Sequence, residues 1–103
     1  MNRTFYVLNK EGNPIIEESF LKWGEWMEKC DRHVGDDTVE GSRISTVFLG
    51  LDHSFEIEGP PVLWETMVFE GLMNGEMERC AGTREQAEAM HVSMIEKVKQ
   101  AYI

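Results

Sequence analysis

Hydrophobic and polar positions change period several times along the chain. Residues 3–9, Arg3-Thr-Phe-Tyr-Val-Leu-Asn9, are β-branched and aromatic and run into Lys10-Glu-Gly-Asn-Pro14. Gly12 and Asn13 permit a tight reversal, so Ile15 and Ile16 are expected to begin a short returning segment. From Ser19 the period becomes helical. Phe20, Trp23, Met27 and Cys30 share one face, and Trp26 widens the stripe. Ser19 is the expected N-cap, with Glu17 and Glu18 placed near the positive end of the helix dipole. The spacing predicts a helix ending near Gly35 and a polar loop over 36–42.

Ile44-Ser-Thr-Val-Phe-Leu-Gly-Leu-Asp-His53 is apolar at nearly every position and reads as a strand covered on both faces. Ser54 to Pro61 reads as a loop, because Gly59-Pro60-Pro61 cannot sit inside a sheet. Val62 to Phe69 is a second long strand, and Asn74-Gly75 is the strongest hairpin signal. A two-residue turn there would set Met73 against Glu76 and Glu70 against Arg79 as a cross-strand ion pair. Thr83-Arg-Glu-Gln86 has capping-box spacing and opens a final helix. Ala87, Met90, Met94, Val98 and Tyr102 form its expected buried stripe. The predicted order is β(β)-α-β-β-β-α: a single α+β domain over 1–103, with an antiparallel sheet of about four strands and two helices.

A hairpin between the two long strands brings His53 near Val62 and fixes a register. In that register Val47, Leu49, Leu51, Trp64 and Val68 share one face. Phe48, Leu63, Met67 and Phe69 share the other, beside Gly50, Asp52 and Glu65. If both helices lie on one side, the second apolar face must meet another subunit, so a homo-oligomer is expected.

Composition narrows the class. The 103 residues carry 19 Asp and Glu against 10 Lys and Arg, a formal net charge of −9. At 42% hydrophobic the chain is nonetheless a folding sequence rather than a disordered acidic one. Direct nucleic-acid binding is not expected, since it needs cations to displace phosphate counterions. Anionic membrane surfaces are disfavoured for the same reason. No apolar run approaches the ~20 residues of a membrane span, and no signal peptide is evident. Cys30 and Cys80 make no disulfide framework, which points to a reduced, cytoplasmic setting.

Three groups of residues invite chemistry. Asp52-His53 ends one strand, and Glu65 lies opposite Gly50 in the expected register, where a missing side chain leaves room for a ligand or another backbone. Glu65, flanked by Leu63 and Met67, needs a partner if buried: a ligand, or an internal one such as Arg43 or a backbone amide. His53 is a candidate general base, although adjacent strand residues point to opposite faces and make an Asp-His dyad awkward. Cys30-Asp-Arg-His33 has half a zinc-site spacing with no second pair to complete it, so no metal is expected. His91, on the apolar stripe of the last helix, reads as a satisfied core-edge histidine. Asp52 to Glu58 alternates oxygen side chains without a calcium-loop start. The aromatic run Phe20 to Met27 offers rings for a planar ligand, or simply core. Trp26 is its expected surface or interface residue.

Charge is uneven along the chain. Between Arg43 and Arg79 there is no Lys or Arg, while Asp52, Glu56, Glu58, Glu65, Glu70, Glu76 and Glu78 all occur. A surface of one sign steers a protein onto a basic partner, or simply keeps it soluble.

The segments Ile44 to His53 and Gly59-Pro-Pro-Val-Leu-Trp-Glu-Thr-Met-Val-Phe69 resemble the signature of a family of short phage and prophage proteins. A Tyr-Val-Leu-type opening, a Trp-rich first helix and a Glu-Ala-containing last helix extend the resemblance over nearly the whole chain. Where such relatives often carry a glycine-rich loop after the Asp-His pair, this chain has Ser54-Phe-Glu-Ile-Glu58. The resemblance implies a phage accessory protein in the bacterial cytoplasm, acting by stoichiometric binding against host defence, and it assigns no residue a role. Three functions follow as expectations. The first is sequestration of a small nucleotide-derived immune signal, of cyclic nucleotide or cyclic ADP-ribose type, without a cofactor. Its candidate ligand residues are Arg43, Gly50, Asp52, His53, Glu65, Arg79 and Trp26, supported by Arg84 and the amide donors at Thr83. The second is an acidic inhibitor of a host nucleic-acid-binding defence complex. The third is a small hydrolase using Asp52, His53 and Glu65.

Overall fold

A computed structural model describes residues 4–54 and 59–103. Among them six strands and two helices follow in the order β1 (Phe5–Leu8), β2 (Pro14–Glu17), α1 (Phe20–Lys29), β3 (His33–Val39), β4 (Ser42–Phe48), β5 (Val62–Phe69), β6 (Met77–Ala81) and α2 (Arg84–Ala101). β1 and β2 form a two-stranded hairpin, and β3-β4-β5-β6 form an antiparallel sheet in sequence order. The α+β class, the two helices and the antiparallel pairing are as the sequence predicts, but the four-stranded sheet takes in β3, where a loop is expected, and leaves the opening strand in a separate hairpin. Arg3, Glu56 and Glu58 lie outside the described residues.

Both helix starts form for the expected reasons. Ser19 Oγ accepts from the Lys22 amide, and the Thr83–Gln86 capping box is complete in both directions. α1 ends at Lys29 rather than near Gly35, because the chain re-enters extended structure as β3. That strand occupies most of the predicted 36–42 loop. As an edge strand it leaves Asp36, Asp37 and Thr38 in solvent, so its polar sequence carries no apolar alternation to read.

The β4–β5 register also differs from expectation. His53 does bond Val62, its amide donating to the Val62 carbonyl at 2.9 Å. Farther in, however, Phe48 pairs with Trp64, Val47 with Glu65 and Ile44 with Val68. From these pairs to His53–Val62 the β4 side uses three residues more than the β5 side. An odd excess exchanges the faces. Phe48 therefore joins Trp64 and Val68, while Val47 joins Glu65, Met67 and Phe69. The extra residues swing out to β1, where the Tyr6 amide donates to the Gly50 carbonyl at 2.9 Å and Phe5 bridges Leu51.

α2 covers one face of the sheet. Ile44, Thr46 and Phe48 from β4 and Trp64, Thr66 and Val68 from β5 are buried beneath Ala87, Met90, His91, Met94 and Val98. Tyr102, expected to finish the stripe, is instead partly exposed, its hydroxyl accepting from the Leu72 amide at 3.0 Å. The β1–β2 hairpin and α1 close the end of this core. Tyr6, Leu8 and Trp26 pack against it, and Trp26 meets Phe48 edge-on with ring centroids 5.8 Å apart. Trp26 thus braces the core instead of standing free at the surface. Among the described residues no helix covers the opposite face, and Val47, Met67, Phe69 and Met77 are partly or largely exposed there.

Candidate functional site

The residues predicted to form one site lie in three places. Gly50, Asp52 and His53 sit where the chain leaves β4. Arg43, Glu65 and Arg79 stand on the open face of the sheet. Trp26 belongs to α1.

The turn after β4 is fully engaged in holding the fold. Gly50 has φ +77, and a Cβ on it would come within 2.8 Å of Met27 Sδ. Trp23 Nε1 donates to the Gly50 carbonyl at 3.2 Å. The missing side chain therefore admits α1, rather than a ligand facing Glu65. Asp52 Oδ1 accepts from the Ser54 and Val62 amides, both at 2.8 Å, which pins the two ends of the following loop together. Burial pushes the Tyr6 phenol up, and the nearby Asp52 charge adds to this. The His53 ring turns back on its own strand, with Nδ1 2.8 Å from the Leu51 carbonyl. Asp52, His53 and Glu65 are not brought together, and no general-base dyad forms.

On the open face each charge has its opposite beside it. Arg43 makes a bidentate pair with Asp36, at 2.9 and 2.8 Å, and lies 5.8 Å from the Phe69 ring centroid. Glu65 pairs with Arg79 at 2.8 Å, the in-register neighbour across β5 and β6. The expected internal partner of Glu65 therefore exists, but it is Arg79 and not Arg43. Glu70 is no partner for Arg79: the β5–β6 connection is longer than two residues, with Met67 facing Met77. Within it the Glu70 amide donates to Asn74 Oδ1 at 2.7 Å. Strand spacing and rise put Arg43 and Arg79 about 17 Å apart. The arginines do not converge on one anion. Arg84 bonds Glu88, and Arg32 Nη1 donates to the Phe48 carbonyl at 3.0 Å.

The buried face holds a polar network the sequence only half revealed. His91 Nε2 is 2.7 Å from Asp37 Oδ2, and Nδ1 is 2.7 Å from Thr46 Oγ1, itself 2.5 Å from Thr66 Oγ1. The partners set the proton order for a neutral ring. Nε2–H donates to Asp37, Thr46 donates to Nδ1, and Thr66 donates to Thr46. The order Thr-His-Asp has the connectivity of a nucleophilic triad. Both threonines are sealed from solvent, however, so no substrate reaches the hydroxyl. The satisfied core-edge histidine expected at 91 is present. Asp37, Thr46 and Thr66 gave no separate signal.

A second feature missed in the sequence lies at the turn end of the sheet. Among the described residues, the non-glycine residues in the left-handed region are Glu40, at φ 52, and Glu70, at φ 65. Each is followed by a glycine in the same region, Gly41 at φ 78 and Gly71 at φ 82. Ser42 Oγ donates to the Glu70 carbonyl at 2.8 Å and ties the two turns together. The signal was the repeated Glu-Gly dipeptide, standing where hairpins usually carry Asn-Gly.

Cys30 caps the end of α1 and is exposed, and His33 bonds Asp31. Among the described residues no three His, Cys, Asp or Glu side chains converge to hold a metal ion. Among the described residues no helix is long and apolar enough to cross a membrane. Comparison with known proteins found no matching family, no matching curated protein and no matching solved structure.

Proposed function

We propose that the protein is a phage-type counter-defence protein that binds stoichiometrically, presenting the acidic turn end of its sheet to a basic host protein. The observation that carries this reading is the pair Glu40 and Glu70. A left-handed backbone costs an ordinary side chain about 1–2 kcal/mol, and asparagine or glycine relieves most of it. Two glutamates held there, in turns tied by Ser42, are strained where the fold itself would favour another residue. The two-residue turn between β3 and β4 requires the left-handed backbone but not a glutamate in it, and a side chain held in strain that another residue would relieve is a mark of function. Glu76 stands in the same connection as Glu70, with no Lys or Arg partner among the described residues. The phage context rests on the resemblance of the central signature.

Sequestration of a nucleotide has less support. It needs cations gathered around phosphate, whereas Arg43, Arg79 and Arg84 are each matched by a carboxylate of this chain. The hydrolase reading lacks its assembled residues.

The test is capture from host lysate by the immobilised protein, beside the Glu40→Asn/Glu70→Asn variant. A partner of the proposed kind is retained at low salt. It is released between roughly 0.1 and 0.5 M salt, as screening shortens the reach of charge, and the variant holds it much less. A discrete small-mass adduct in native mass spectrometry, with no protein retained, would instead establish sequestration.

A further inference from the structure

The connection between β5 and β6, residues 70–76, displays a large apolar side chain that the fold does not use. Its backbone is held from within. The amides of Glu70, Asn74, Gly75 and Glu76 donate inside the connection or back to Val68, at 2.7–3.1 Å. Its root is held from outside. Ser42 Oγ donates to the Glu70 carbonyl, the Leu72 amide donates to the Tyr102 hydroxyl, and a Cβ on Gly71 would strike both hydroxyls. Met73 packs against the buried cluster of Ile44, Val68, Met94 and Val98 and gives the connection its grip on the core. Its neighbour Leu72 is 69% exposed.

A single exposed leucine is ordinary on a protein surface. Leu72 differs in two respects. Its backbone is already fixed by hydrogen bonds, so little ordering entropy is left to lose when something docks on it. It also stands between Glu70 and Glu76 in one short connection, both exposed and without a Lys or Arg partner among the described residues. Arg43, which lies opposite Phe69 in register, already pairs with Asp36.

Building on the proposed binding of a basic protein, we infer that Leu72 is the apolar anchor of the acidic end. It seats against a large apolar side chain that the partner carries between its own Lys or Arg residues. Charge complementarity names this occupant. Cations on either side of the partner's apolar residue meet Glu70 and Glu76, while the contact at the centre sheds its water, as an anchor does within a polar rim. The carboxylates speed the encounter and select the sign of the partner. Leu72 slows its departure. An acidic segment is repelled by the same rim, and a cationic segment with no apolar residue leaves Leu72 in water.

Two capped pentapeptides, Lys-Lys-Trp-Lys-Lys and Lys-Lys-Gly-Lys-Lys, titrated into the isotope-labelled protein at low salt, test this by NMR. The tryptophan peptide is expected to shift the Glu70 and Glu76 amides together with the Leu72 methyls. It should bind at least about fivefold more tightly than the glycine peptide. In Leu72→Ala the two peptides should bind alike, while amides remote from the connection keep their wild-type positions. Equal affinity for the two peptides in the wild type, or a tryptophan preference that survives Leu72→Ala, overturns the anchor and leaves the acidic end as a binding surface. Peptides that move neither the Glu70 nor the Glu76 amide contradict the acidic surface itself, and the anchor with it.

Discussion

The two faces of the four-stranded sheet are made from the same strands, yet they treat polar groups in opposite ways. Beneath α2, every buried polar side chain has a partner: Thr66, Thr46, His91 and Asp37 form one chain of bonds, while Ser42 and Trp64 donate to backbone carbonyls. On the open face, charges are capped two by two, Asp36–Arg43 in solvent and Glu65–Arg79 half-buried, and large apolar side chains stand between them. Buried hydrogen bonds must be complete because an orphaned group costs its full desolvation. Exposed ion pairs contribute little, so that face is free to be shaped by what it meets. One face specifies the fold, and the other is available for recognition.

Truncation shows the contrast at its largest. Trp64, fully buried and donating from Nε1 to the Gly82 carbonyl at 3.0 Å, should lose about 3–5 kcal/mol as Trp64→Ala. Met67→Ala on the other side of the same strand should fall within about 0.5 kcal/mol of wild type in urea unfolding of the dilute protein. The buried network comes next. Thr46→Val keeps the volume but leaves His91 Nδ1 without its donor, for an expected loss of about 1–3 kcal/mol. Gly35→Ala should cost a similar ~1–3 kcal/mol, since its Cβ would sit 2.6 Å from the His91 ring.

The turn glutamates run the other way. Glu40→Asn and Glu70→Asn should each raise stability by about 0.5–1 kcal/mol by relieving left-handed strain. If they bind a basic partner, the same changes weaken that complex, and stability and binding separate in opposite directions.

The smallest effects belong to the exposed pairs. The Arg43 guanidinium, chiefly through its hydrogen bonds, holds the Asp36 carboxyl below its ordinary value of 3.8. A folded value below the unfolded one means the pair helps above the ordinary carboxylate range. Its help fades as pH falls through the lowered value. Carboxyl NMR titration should show Asp36 returning toward its ordinary value in Arg43→Gln.

How much of this was legible follows from where each signal comes from. Helix starts are written locally, so Ser19 and the Thr83–Gln86 box stood out. The stripe Ala87, Met90, Met94 and Val98 followed from its period. β3 was illegible because an edge strand can be polar on both sides, and its turn carries Glu40 where asparagine is usual. The faces of β4 and β5 are exchanged because the apolar run predicts a continuous ladder to His53, whereas after Leu49 the chain leaves at Gly50 and Leu51 to meet β1. Gly50 marked that departure, but a glycine admitting Trp23 and Met27 looks in sequence like one admitting a ligand. Of the candidate site, only the need of Glu65 for a partner came through, and its partner depended on a register that sequence did not supply.

Methionine methyls report on both faces at once, since Met67 and Met77 lie on the open side while Met90 and Met94 lie under α2. The decisive measurement is methyl-¹³C-methionine NMR as a soluble paramagnetic agent is added. Met67 and Met77 should broaden as the agent rises, while Met90 and Met94 stay sharp, unshifted and protected throughout. Open-face methyls that never change, or covered-face methyls that do, would contradict the division of labour between the two faces.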